Sequence, residues 1–96
     1  FISFMVRITP IGLAQILVDE VEYWCDVHGD GLNCLEAHQD FDTISDMVCN
    51  YLSKEYCDVV ESLSEEEWKE LARHYEEYME RLIIKRYKAL YGDTED

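Results

Sequence analysis

The chain has 96 residues, is 48% apolar and 12% aromatic, and carries a formal net charge of −14. That length holds one domain, and the apolar share supplies a core, which excludes a purely disordered tail and leaves little room for a second domain. A surface this negative repels phosphate backbones, which excludes direct nucleic-acid binding and favours basic partners.

The charge is unevenly spread. Residues 11–67 contain fifteen carboxylates and a single base, Lys54, a net of fourteen negative charges. Arg7 and the six bases from Lys69 to Lys88 balance the other seven acids. A solvated exterior ordinarily mixes both signs, and like charges crowded together oppose folding. An imbalance of this size therefore points to a function that offsets its cost.

Residues 1–8 are apolar but too few to span a bilayer, and they show neither a charged lead nor a cleavage site, so no membrane or secretory role is expected. Met5 opens the reading MVRITP, so residues 1–4 are read as an added leader or alternative start, and residues 1–8 as an extension. Without a secretory signal, the four cysteines are expected to be thiols in a reducing cytoplasm.

Three helices are expected. Thr9 can cap the first, with Pro10 at the first helical position, where its missing N–H costs nothing. Over residues 11–27, Ala14, Leu17, Val18, Val21, Trp24 and Cys25 recur at three-and-four spacing and predict a buried stripe, with Trp24 in the core. Gln15, Asp19, Glu22 and Asp26 make the opposite face an acidic stripe. Gly29 suits the left-handed residue that follows a helix end. Residues 32–39 are ambiguous, with one helical turn as the best reading.

The second helix is expected to run from a cap at Asp42 or Thr43 to about residue 61, burying Ile44, Met47, Val48, Tyr51, Leu52, Tyr56 and Val59. Cys49 and Cys57, eight residues apart on that helix, are then too far apart to bridge. The third helix has the strongest local signature. Ser64 and Glu67 have the spacing of a capping box, and Leu63 and Trp68 that of a hydrophobic staple. Its stripe continues through Leu71, Ala72, Tyr75, Met79, Leu82, Ile83, Tyr87 and Leu90 to a stop at Gly92. The four residues after it are read as a disordered tail. The expected fold is a single all-α domain of three helices with a long C-terminal helix.

Carboxylates three or four residues apart on a helix lie about 5–6 Å from each other, so two helices together can approach the charge density of a nucleic-acid strand. In size and charge the chain resembles small acidic phage-encoded inhibitors of restriction and CRISPR machinery. That resemblance implies a non-enzymatic, cytoplasmic protein that occupies the nucleic-acid site of a basic partner. Asp19, Glu22, Asp26, Asp42, Asp46 and Glu61 are the expected contacts, with Glu20 and Asp58 next.

Two metal sites compete as alternatives. Cys25-x2-His28-x5-Cys34-x3-His38 offers two thiolates and two imidazoles, a donor set that suits tetrahedral zinc if a helical turn brings Cys34 and His38 together. A zinc-stabilised helical adaptor is the function it would imply. Residues 26–37 resemble an EF-hand loop at Asp26, Asp30 and Gly31, but Ala37 stands where the bidentate carboxylate belongs. A Cys–His pair using His74 lacks any orienting group, and no phosphate loop or nucleophile elbow is present, so no enzyme is expected.

Finally, Ile84, Tyr87 and Tyr91 form a second apolar stripe near the end of the third helix. It is accounted for either by packing against residues 1–8 or by a homodimer contact. Arg81, Lys85, Arg86 and Lys88 give the same end a basic character.

Overall fold

The computed structural model describes residues 8–92. The expectations for residues 1–7, including any packing of that segment on the third helix, and for the tail 93–96 lie outside the described residues. The chain is all-α: α1 (Pro10–His28), α2 (Leu32–Ala37), α3 (Phe41–Ile44), a 3-10 turn (Ser45–Met47), α4 (Val48–Tyr51), α5 (Lys54–Glu61) and α6 (Glu65–Tyr91).

α1 begins as its sequence dictates. The Thr9 hydroxyl accepts the Gly12 N–H at 3.1 Å, and Pro10 occupies the first turn. At its far end the Gly29 N–H donates to the Cys25 carbonyl at 3.0 Å. Gly29 itself is extended (φ −125°), and the left-handed residue is Gly31 (φ 64°). Glycine is required at 29 for a different reason. A Cβ there would lie 2.8 Å from the Cys34 sulfur.

The second helix is not continuous. Leu52 and Ser53 are both extended (ψ 153° and 166°) and separate α4 from α5. The segment is rich in residues whose side chains compete with helical hydrogen bonds; the Ser45 hydroxyl, for example, donates to the Asp42 carbonyl at 3.3 Å. The break lets Ile44, Val48 and Leu52 and then Val60 all face the core, which one straight helix would not allow. It also brings the Cα atoms of Cys49 and Cys57 to 5.0 Å, and their sulfurs are at disulfide distance. The expectation that they could not bridge fails because it assumed an unbroken helix. Nor does Asp42 or Thr43 cap this segment. The Phe41 N–H donates to a Glu76 carboxylate oxygen at 2.8 Å, so the cap is supplied by α6.

The capping box at α6 forms in full. The Glu67 N–H donates to the Ser64 hydroxyl at 3.1 Å, and the Ser64 N–H to the Glu67 carboxylate at 2.9 Å. From there α6 runs unbroken to Gly92, which closes it with φ 83°. At about 1.5 Å per residue the helix is about 40 Å long and sets the long axis of the molecule.

Gln15, Asp19 and Glu22 line a groove with Tyr78, Arg81 and Lys85, and Arg86 reaches Glu22 and Asp26. The first and last helices thus lie side by side and point the same way, and α2 to α5 form a crossover that returns the chain to the base of α6. Leu13, Leu17, Val21 and Cys25 from α1, Leu35, Phe41, Ile44 and Val48 from the crossover, and Leu71, Tyr75 and Met79 from α6 are buried together. Phe41 sits edge-on to Trp68 and Tyr75, with ring centres 5.2 and 5.5 Å away. Each such side chain contributes about 1.5–3 kcal/mol by leaving water.

Trp24 departs from expectation. It is 40% exposed, because Leu13 and Leu17 hold the centre of the α1 stripe and leave Trp24 at its edge. There its ring meets His28, His38 and Tyr51 at 5.4, 6.0 and 5.9 Å.

Candidate functional site

The expected acidic contacts fall on two separate surfaces. Asp42, Asp46 and Glu61 are exposed on the crossover. Asp46 and Glu61 face one groove together with Cys49, Glu65 and Trp68. Asp42 precedes Asp46 by one helical turn. No salt bridge among the described residues reaches any of the three, and Lys54, the one Lys or Arg of the crossover, pairs with Asp58 at 3.2 Å.

The α1 group is different. Glu22 and Asp26 both accept from the Arg86 guanidinium at 2.8 Å, so part of their charge is cancelled within the fold. These hydrogen bonds, Asp26 first, raise the Arg86 pKa further and keep it cationic. Asp19 is exposed and accepts from the Gln15 amide at 3.0 Å; Glu20 is exposed on the same helix.

A third acidic surface was missed. Glu36, Asp40, Glu76, Glu77 and Glu80 line one groove between the crossover and α6. Its only local signal was the spacing of Glu76, Glu77 and Glu80, which a charge count sets against the neighbouring bases. Arg81 does reach Glu77, at 3.4 Å. Glu76 is also structural, through its cap on Phe41.

The cysteines are not isolated thiols. Cys25 and Cys34 are at disulfide distance, with Cα atoms 5.5 Å apart, and no described cysteine is left unpaired. α2 is the helical turn that the zinc reading required. The ligand atoms of Cys25, Cys34 and His38 lie within 4.8 Å of one another. His28 does not join them. Its ring is exposed and stands beside Trp24. A second trio, Cys49, Cys57 and Glu61, converges within the same limit on the crossover. Asp26 is engaged by Arg86, and neither it nor Asp30 belongs to a convergent set of ligand atoms among the described residues.

His38 is held from several sides. Its Nδ1 lies 2.8 Å from the Cys34 carbonyl, and its own carbonyl accepts the Tyr75 hydroxyl at 2.6 Å. Burial raises the pKa of Tyr75, and half-buried Tyr51 shifts the same way for the same reason. His74 lies between Glu70 and Glu77, at 3.9 and 3.7 Å, and the Arg73 guanidinium donates to its Nε2 at 3.3 Å. No cysteine faces it.

Ile84, Tyr87 and Tyr91 are 48%, 52% and 64% exposed, and the two tyrosine rings lie 4.6 Å apart. Leu90 is exposed beside them. No helix among the described residues is long and apolar enough to cross a membrane. No protein-family model, curated protein or solved structure matches this chain.

Proposed function

We propose that the protein is a non-enzymatic, cytoplasmic inhibitor that presents the acidic crossover to a basic nucleic-acid-binding partner and occupies the site where that partner would hold DNA or RNA. The observation that carries this reading is the absence of any salt bridge, among the described residues, to Asp42, Asp46 and Glu61, all of which are exposed. Uncompensated carboxylates attract a basic surface more strongly than paired ones, and each stands in for a phosphate without performing chemistry. Asp19 and Glu20 extend the surface, and Glu22 and Asp26 contribute less because they share Arg86.

A tagged pull-down from lysate at low salt, repeated at high salt and after nuclease treatment, tests this. The expected result is one basic protein that salt releases, that nuclease does not, and that loses its nucleic acid when this chain is bound. Charge reversal of Asp42, Asp46 and Glu61 to Lys should reduce capture at least tenfold. Capture that ignores salt and survives the reversal would overturn the proposal.

The exposed Ile84, Tyr87 and Tyr91 favour a second reading, a regulatory homodimer. Residues 81–92 contain four bases and no acid, and Glu22 and Asp26 offset part of that charge. Two copies meeting there avoid the acidic repulsion they would meet elsewhere. Tyr87→Glu should then abolish a concentration-dependent dimer in analytical ultracentrifugation.

A further inference from the structure

We propose that Cys25, Cys34 and His38 form a redox-gated zinc site: the disulfide excludes the metal, and the reduced pair takes it up together with the His38 imidazole. The inference does not depend on the acidic surface, which uses none of these residues.

The three donors come from the last turn of α1, the middle of α2 and the residue that caps α2. Cys34 and His38 are four apart, so α2 sets them on one face. His38 Nδ1 lies 3.6 Å from the Cys34 sulfur. In tetrahedral zinc, bonds of about 2.3 Å to sulfur and 2.0–2.1 Å to nitrogen place an N and an S ligand about 3.6 Å apart. The same geometry puts two sulfurs about 3.8 Å apart. Cys25 and Cys34, with Cα atoms 5.5 Å apart, reach that separation by side-chain rotation once the bond between them is broken.

The imidazole is prepared for this role. Trp24 and Tyr51 each lie 6.0 Å from its ring, and the Tyr75 hydroxyl fixes its backbone. On binding, the imidazole carries its proton on Nε2 instead of Nδ1, and the freed Nδ1 lone pair exchanges the hydrogen bond to the Cys34 carbonyl for the metal. Two thiolates and an imidazole select zinc over calcium or magnesium, and a water completes the fourth position. The other trio has an exposed carboxylate, Glu61, in place of the imidazole and is the poorer match.

The chemistry balances. Opening the S–S bond takes two electrons and two protons from a cellular dithiol, which becomes a disulfide. Zinc then displaces the two thiol protons as it binds both thiolates.

The test uses the full chain carrying Cys49→Ser and Cys57→Ser, reduced with a phosphine and titrated with Zn²⁺ and separately with Co²⁺. One equivalent should bind, and Co²⁺ should give the intense visible absorption and thiolate charge-transfer band of a tetrahedral site. Cys34→Ser or His38→Ala should weaken binding at least tenfold, and the oxidised protein should bind none. If the double variant loses its helical circular dichroism, the same titration on the unaltered chain applies, with His38→Ala removing one equivalent. No stoichiometric uptake on reduction, equal uptake by the oxidised chain, or uptake that ignores His38→Ala would overturn the proposal.

Discussion

The Tyr75 hydroxyl, on the buried face of α6, donates to the His38 carbonyl at 2.6 Å and so ties the end of α2 to the long helix. Removing it with Tyr75→Phe leaves the ring packed on Phe41 but orphans a carbonyl, at a cost of about 1–2 kcal/mol. Urea denaturation should show this loss. The same bond sets an alkaline limit. Burial raises the Tyr75 pKa above its unfolded value of about 10, so its contribution is complete below that pH and is lost as the pH climbs beyond it. Tyr75→Phe should flatten the alkaline fall in stability.

Arg86 joins two carboxylates of α1 to α6, and its side chain is 27% exposed. Solvent screening limits such a pair, so Arg86→Gln should cost at most about 1 kcal/mol. Part of that cost should disappear in molar salt, where half-buried Glu22 and exposed Asp26 no longer repel each other. Thermal melts at two ionic strengths check both points.

Pairing of Cys49 with Cys57 closes a short loop across the α4–α5 break. By the loop-entropy relation, a loop of this length is worth about 2.5 kcal/mol. Cys49→Ser with Cys57→Ser should lower stability by about that much. Intact mass before and after reduction reads out the pairing itself, with each disulfide adding about 2 Da on opening.

Gly29 lies against the Cys34 side chain, and a methyl group there would come 2.8 Å from the sulfur and 2.9 Å from Cβ. Gly29→Ala should therefore push Cys34 away from Cys25. Free-thiol labelling under non-reducing conditions should rise relative to the unaltered chain, with a melting temperature lower by several degrees.

The long helices were legible because their signals are local. Thr9 and Pro10 open α1, and Ser64 and Glu67 open α6, through hydrogen bonds that span three residues. The crossover was not legible, because its boundaries depend on distant partners. Phe41 starts a helix where Glu76 can cap it, and the register of Leu52 is decided by where Val60 must pack. A pattern of apolar residues at three-and-four spacing runs across the Leu52–Ser53 break without marking it. The same blindness hid the Cys49–Cys57 pairing and the groove shared by Glu36 and Glu80. The Cys25, Cys34 and His38 cluster was anticipated, but His28 was included because sequence spacing does not reveal which way the end of a helix points.

The main packing partner of α1 lies at the opposite end of the chain, and Arg86 contacts Glu22 across 64 residues. During synthesis from the N-terminus, α1 emerges with its apolar face uncovered and must wait for nearly the whole chain before α6 can shield it. The crossover reaches α1 chiefly through α2 and α4, and its α3 owes its N-terminal cap to Glu76 of α6. The long helix therefore completes the cover of α1 last, and a chain truncated before Arg86 would keep the residues of α1 but lack the ion pairs at its end.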